Sequence, residues 1–216
     1  MWSLNIHWQK LLLVALMSIT LPAIAADVPP EVAELRGRFD ITNFQLTGKA
    51  QLEAFEKLEA DAAAYTAANP GIVEGWIWSG IIRSSYAGAK GGLGALGLAK
   101  KSKVDFETSM QIDAEAMQGS ASTSLGTLYY SVPGWPVGFG DDKKAEELLL
   151  AGLALNPDGI VSNYFYAQYL ADEKRTAEAI TYYRKALNAP PRPNRPIADA
   201  GRRKDIQAAL KELGAE

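Results

Sequence analysis

Apolar residues recur at three- and four-residue steps along most of this chain. Between Lys49 and Ala68, Leu52, Phe55, Leu58, Ala62 and Tyr65 fall on one face, which predicts an amphipathic helix. Thr47 stands where an N-cap is expected, and Asn69, Pro70 and Gly71 end the pattern. Further helical segments are expected over Trp76 to Tyr86, Ser102 to Ala114, Ser124 to Tyr130, 141–158, 163–174, 175–191 and Asp199 to Leu213. The expected fold class is all-α.

Two of these segments share a register. Ala145, Leu149, Gly152 and Pro157 are matched by Ala179, Tyr183, Ala186 and Pro191, each pair 34 residues apart. Small residues recur where two helices approach closely, a bulky one lies between them, and a proline stops the second helix. Each segment has an upstream partner: Leu125, Gly126 and Tyr129 before the first, Tyr166, Ala167 and Leu170 before the second. On these residues the chain resembles the tetratricopeptide repeat family, with its W-x2-LG-x2-Y…A-x3-F-x2-A…P pattern. Trp76 and Gly80, followed by Ser102, Phe106, Ser109 and Ala114, form an earlier unit with serines at two small positions and no closing proline. The resemblance covers about residues 49–191. It implies a helix-turn-helix solenoid of about three degenerate repeats, capped by the C-terminal helix.

Within that register two turns are lengthened. The spacing from Ala167 to Ala179 is 12 residues, from Gly126 to Ala145 it is 19, and from Gly80 to Ser102 it is 22. The longest insert, GAKGGLGALG, holds a G-x-G-x-x-G at Gly92, Gly94 and Gly97. A dinucleotide fingerprint needs a strand before it and an acidic residue about 20 positions on, at the end of a strand. Here a helix precedes it, and Asp113 falls at the end of a helix. A phosphate held at the helix N-terminus near Lys100 or Lys101 is a second option. The reading adopted is that the glycines let a lengthened turn fold back tightly. The other insert, VPGWPVGFG, carries Trp135, Val137 and Phe139 on a segment that two prolines and its glycines keep from being helix. Trp135 and Phe139 either plug the repeat surface or wall a pocket or interface. Asp141 is expected to cap the next helix, with Asp142 favourable in its first turn.

Composition narrows the chemistry. The 216 residues carry a formal net charge of -3 and are 48% hydrophobic, which suits one domain with a sizeable core and gives no overall pull toward nucleic acid or an anionic membrane surface. Lys10, the apolar run Leu11 to Leu16, and Ala23 and Ala25 at small-residue positions read as a Sec-type leader cut after Ala25. The expected locale is periplasmic or secreted, with no membrane span after cleavage. A lipoprotein anchor is excluded because the chain has no cysteine. The single histidine, His7, lies in the leader. Residues 26–216 therefore lack the groups for Ser-His-Asp and Cys-His catalysis, and the usual zinc, copper and iron ligands. Neither an enzyme, a cofactor nor a metal is expected. Asp141 and Asp142 are better explained by helix N-terminal preferences than by a hydrolytic carboxylate pair.

The expected organisation is a leader over 1–25, a linker or short helix over 26–48, the helical domain over 49–191, and a proline-rich connector with a capping helix over 192–216. On that last helix Ala200, Ile206, Ala209, Leu210 and Leu213 form the apolar face, and Arg202, Arg203, Lys204 and Lys211 the polar one. The family resemblance implies a concave groove lined by first helices. Its inward positions are Ile81, Ser84 and Ser85, then Thr123, Thr127 and Tyr130, then Tyr164 and Gln168, with Arg83 and Tyr86 close by. With Trp135 and Phe139 from the insert, this polar and aromatic lining suits a protein or peptide partner or a small polar organic ligand. Asn163 alone does not make a carboxylate clamp. The paired inserts also make the chain similar to a periplasmic branch that includes helical-repeat partners of tripartite (TRAP-type) solute transporters. That likeness implies the alternative, a component binding a small organic ligand.

Overall fold

Residues 28–215 are described by a computed structural model, so the expected leader and its cleavage site lie outside the described residues. Helix α1 (Pro30–Gln45) starts on a proline in its first turn, where a missing N–H breaks no helical bond. It buries Val32, Leu35 and Phe39. A 16-residue helix thus stands where a linker or short helix was expected. Its periodicity rests on three apolar residues set among charges, too few to define its length from the pattern.

Eight helices follow: α2 (Gly48–Ala68), α3 (Val73–Lys90), α4 (Gly92–Ile112), α5 (Ala116–Ser131), α6 (Asp142–Leu155), α7 (Ile160–Asp172), α8 (Thr176–Leu187) and α9 (Pro196–Glu212). The fold is all-α, and no strand occurs among the described residues. Thr47 precedes α2 in extended conformation, but its side chain makes no capping bond. Asp141 does cap α6, accepting the Lys144 N–H at 3.0 Å. Asp113 ends α4.

The expected long turn between α3 and α4 is replaced by a short one. The insert extends both helices, and only Gly91 separates them. Gly91 and Gly92 have φ of 62° and 61°, a conformation open to glycine at little cost. Gly94 and Gly97 lie inside α4. With a helix on each side, the G-x-G-x-x-G has no strand to present a dinucleotide. The insert before α6 is a true loop. Its Gly140 N–H donates to the Pro133 carbonyl at 3.0 Å, and the Asp141 N–H to the Tyr129 carbonyl at 3.0 Å.

Helices pack most extensively as α3 on α4, α5 on α6 and α7 on α8. The odd-numbered helices also touch in series, α1 to α3 to α5 to α7 to α9, and α9 returns to α1. Even-numbered helices do not pack backbone against backbone with one another among the described residues, although the Lys101–Glu59 ion pair at 3.7 Å bridges α4 and α2. Small residues set the closest approaches. A Cβ on Gly80 would stand 2.5 Å from the Phe106 ring, and one on Gly126 2.9 Å from Leu149 and 3.0 Å from the Ala145 carbonyl. The Ser102 hydroxyl donates to the Gly80 carbonyl at 2.7 Å, which satisfies a buried serine inside that contact. Ala167, Ala179 and Ala186 are wholly buried where α7 meets α8. The core has two parts. Phe39, Phe55, Leu58, Trp78 and Tyr86 anchor the N-terminal one, and Leu149, Tyr166, Leu170, Tyr183 and Ile206 belong to the larger C-terminal one.

Candidate functional site

The expected binding residues separate into three groups. Arg83 and Tyr86 belong to the first, with α2, α3 and α4. The Arg83 guanidinium donates to Glu59 at 3.0 Å and to both Asp105 oxygens at 2.7 Å. Asp105 is buried and also accepts the Ser79 hydroxyl at 2.8 Å. Burial pushes its carboxyl above the ordinary value, and the charge of Arg83 opposes that only in part. Arg83 is thus committed to an internal ion network. Tyr86 is buried and stacks on Phe55 with ring centroids 5.9 Å apart, which makes it core.

The second group does assemble. Tyr130 from α5 and Gln168 from α7 meet, the phenol donating to the amide oxygen at 3.4 Å. Tyr130 also sets its ring edge-on to Tyr169 at 5.8 Å. Burial, then the negative charge of Asp172, pushes the Tyr130 phenol well above its ordinary value, so it stays a neutral donor. Tyr164, on the same helix as Gln168, packs against Tyr183 at 5.9 Å. Thr127 lies half-buried one turn before Tyr130, its hydroxyl spent on the Thr123 carbonyl at 2.9 Å. Thr123 itself is buried against Gly152 of α6 and turns away from this face. Asn163 is likewise committed, donating to the Pro157 and Gly159 carbonyls at 2.8 Å.

Arg202 of α9 completes the second group, and the pattern of α9 placed it on a solvated polar side. The structure lays its guanidinium over three rings instead, 4.2 Å from Tyr164, 5.1 Å from Phe165 and 5.5 Å from Phe44 of α1. It also donates to Asp205 at 3.2 Å. Burial holds the Asp205 carboxyl above its ordinary value against the pull of Arg202. Arg203 is turned inward too, donating to the Leu187 and Ala189 carbonyls. The Arg202 guanidinium is thus covered on its face by aromatic rings and paired at its edge with Asp205. The only sequence signal for this was the excess of arginine on α9, and such an excess ordinarily marks a solvated face.

The third group is the α5–α6 loop. Phe139 sets its ring edge-on to Tyr129 at 5.6 Å, with the Lys103 ammonium 5.9 Å above it. Trp135 does not join it: its side chain is 90% exposed. Phe139 is therefore a plug, and Trp135 projects from the tip.

A surface hollow of about 450 Å³ lies elsewhere, along the α1–α9 seam between Phe44, Ile197 and Gly201. Among the described residues no group of acidic, histidine or cysteine side chains is placed to hold a metal ion, and no helix is long and apolar enough to cross a membrane. In comparison with known proteins, no family model matches this chain and no curated protein matches it significantly.

Proposed function

We propose that this chain is a non-catalytic, tetratricopeptide-like scaffold, periplasmic or secreted, that binds a protein or peptide partner. The observation that carries this reading is the recurrence of one packing device. Gly80 with Ser102 and Phe106, Gly126 with Ala145 and Leu149, and Ala167 with Ala179 and Tyr183 occupy matching positions in three successive helix pairs. Odd-numbered helices in lateral contact, each backed by an even-numbered one, are what such a solenoid requires. The face of α5 and α7 bearing Thr127, Tyr130 and Gln168 is the proposed partner surface. The lack of His and Cys in residues 26–216 supports a binding role over catalysis. Crosslinked capture by the wild-type protein should recover a defined partner, and a Tyr130→Ala, Gln168→Ala variant that remains folded should lose it. Capture unchanged by that variant counts against the surface, and no captured partner counts against the function.

One observation favours a second reading. The Arg202 guanidinium beside Tyr164, near the Tyr130–Gln168 pair, would offer its charge to a small organic anion in exchange for Asp205, which it now holds at 3.2 Å, as a transporter-associated binding component would. Ligand at 100 times its dissociation constant should stabilise the protein by about 2.7 kcal/mol. A rise in melting temperature with small carboxylates, absent in Arg202→Ala, would favour it. A flat response across the panel removes it.

A further inference from the structure

We propose that α9 is a resident stand-in for an arginine-bearing helix of a partner protein, seated in a groove of α1, α3 and α7 that holds two arginines seven positions apart. This rests on the partner-binding reading and names the partner's chemistry. The groove has two seats. In the first, Asp40 of α1 accepts from two Arg195 nitrogens, at 2.8 and 2.6 Å, and the Trp78 ring of α3 lies 4.9 Å from the guanidinium. A carboxylate pair and an indole face suit the flat, forked guanidinium far better than a lysine ammonium. In the second seat, Phe44 of α1 and Tyr164 and Phe165 of α7 surround Arg202, all within 5.5 Å. The carboxylate on Arg202, Asp205, belongs to α9 and leaves with it. Arg195, the residue before α9, and Arg202 are about two helical turns apart, so one helix face fills both seats. Gly201 lets that face close on α1, because a Cβ there would run into the Phe44 ring. Tyr164 stands one turn before Gln168 on α7, so the groove continues into the face assigned to the partner.

Covering the last helix pair does not call for these seats. α9 lies against α8, and its Ile206 and Leu210 enter the C-terminal core. The reach of Arg195 and Arg202 to α1 and α3 is additional to that role. α9 packs less extensively on each neighbour than the paired helices pack on one another. Its connector travels with it, since Arg192 gives both its backbone N–H and its guanidinium to Asp199 of α9, each at 2.7 Å. Charge selects the class of occupant. Residues 26–190 carry 15 Lys and Arg against 21 Asp and Glu, a net charge of -6. Residues 191–216 carry 6 against 4, a net charge of +2. An acidic body draws in a basic helix and repels an acidic one. A helix without arginine would also leave Asp40 buried and unpaired.

The test uses the chain beginning at Ala26, which contains every described residue, and a fluorescein-labelled synthetic peptide of residues 191–216 as the probe. Arg195→Ala with Arg202→Ala in the chain frees both seats without altering them. That variant should bind the peptide at least about tenfold more tightly than the wild type, whose own α9 competes. Against the same variant, a peptide with alanine at both arginine positions should bind at least about tenfold more weakly. A peptide with lysine at both should recover only part of the loss. The chain is identical across the three peptides, so a change in its stability cannot produce the differences, and Arg202→Ala alone serves if the double variant does not stay folded. Equal binding of the arginine and alanine peptides overturns the proposal, as does failure of a folded, opened chain to bind the arginine peptide more tightly than the wild type. If the peptide fails while a partner is still captured through Tyr130 and Gln168, the partner-binding reading stands and the arginine groove falls. Peptide exchange with no captured partner would support the two seats and count against the partner-binding reading.

Discussion

Arg195 and Asp40 lie 155 residues apart in sequence and 2.6 Å apart in the fold. Their double contact joins the start of α9 to α1, and the Arg195 guanidinium also lies 4.9 Å from the Trp78 ring. Through this pair the last helix is held to the first, and the row of odd-numbered helices returns on itself. Both groups are largely withdrawn from water, with side-chain exposures of 15% and 6%. Removing one partner leaves the other charge buried and unpaired, which costs about 3 kcal/mol or more. Arg195→Ala and Asp40→Ala should each lower the urea midpoint accordingly. The double variant should cost clearly less than the two single losses together. Simple additivity would mean that the two residues act separately.

Asp105 gives the protein a signed pH response. Its carboxyl, ordinarily at 3.8, is raised by burial. The folded state then holds that proton more tightly than the unfolded chain. The group's contribution to stability is complete below the unfolded value and is lost as pH rises through the higher folded value. The stability of the wild type relative to Asp105→Asn should therefore fall as pH is raised from about 4. Urea unfolding of both proteins across the acidic range measures this. A difference that grows with pH would show that pairing with Arg83 outweighs burial.

Two glycines should answer alanine in opposite directions. Gly97 lies exposed within α4, and an added Cβ would meet nothing within 4 Å. Gly97→Ala should stabilise by about 0.5–1 kcal/mol, because alanine loses less backbone freedom on entering a helix. Gly126 faces the α6 backbone, with the Ala145 carbonyl and the Leu149 N–H both 3.0 Å from an added Cβ. Backbone cannot swing aside as a side chain can, so Gly126→Ala should destabilise by about 1–3 kcal/mol. Thermal melts of both variants suffice. Destabilisation by Gly97→Ala would point to a role for that glycine beyond the helix.

Asp141→Ala removes the side-chain acceptor for the Lys144 N–H and the negative charge at the start of α6. The expected loss is about 1 kcal/mol. Asp141→Asn should recover most of it, because the amide oxygen can still accept. Circular dichroism melts of the three proteins decide whether the cap acts this way.

Local chemistry made much of this protein legible from its residues. Helices within 49–68, 141–158 and 175–191 followed from apolar spacing, the α6 cap from an aspartate before it, and the tight helix contacts from small residues at Gly80, Gly126, Ala145 and Ala179. Each of those signals acts within one turn or one helix pair. Where the pattern was thin it failed: α1 carries three buried apolar residues among charges, and the glycine-rich insert, which looked like a turn, continues two helices around Gly91. The candidate site was legible only in part. Tyr130, Tyr164 and Gln168 meet because the helix register places them alike. Arg83 and Tyr86 went elsewhere, since a guanidinium pairs with whichever carboxylate the packing brings, here Asp105 and Glu59. That Arg202 would settle on three rings, that Arg195 would find Asp40, and that Trp135 would be left in water were decided by tertiary structure alone. Long polar and aromatic side chains have many adequate partners, and only the placement of distant helices selects among them.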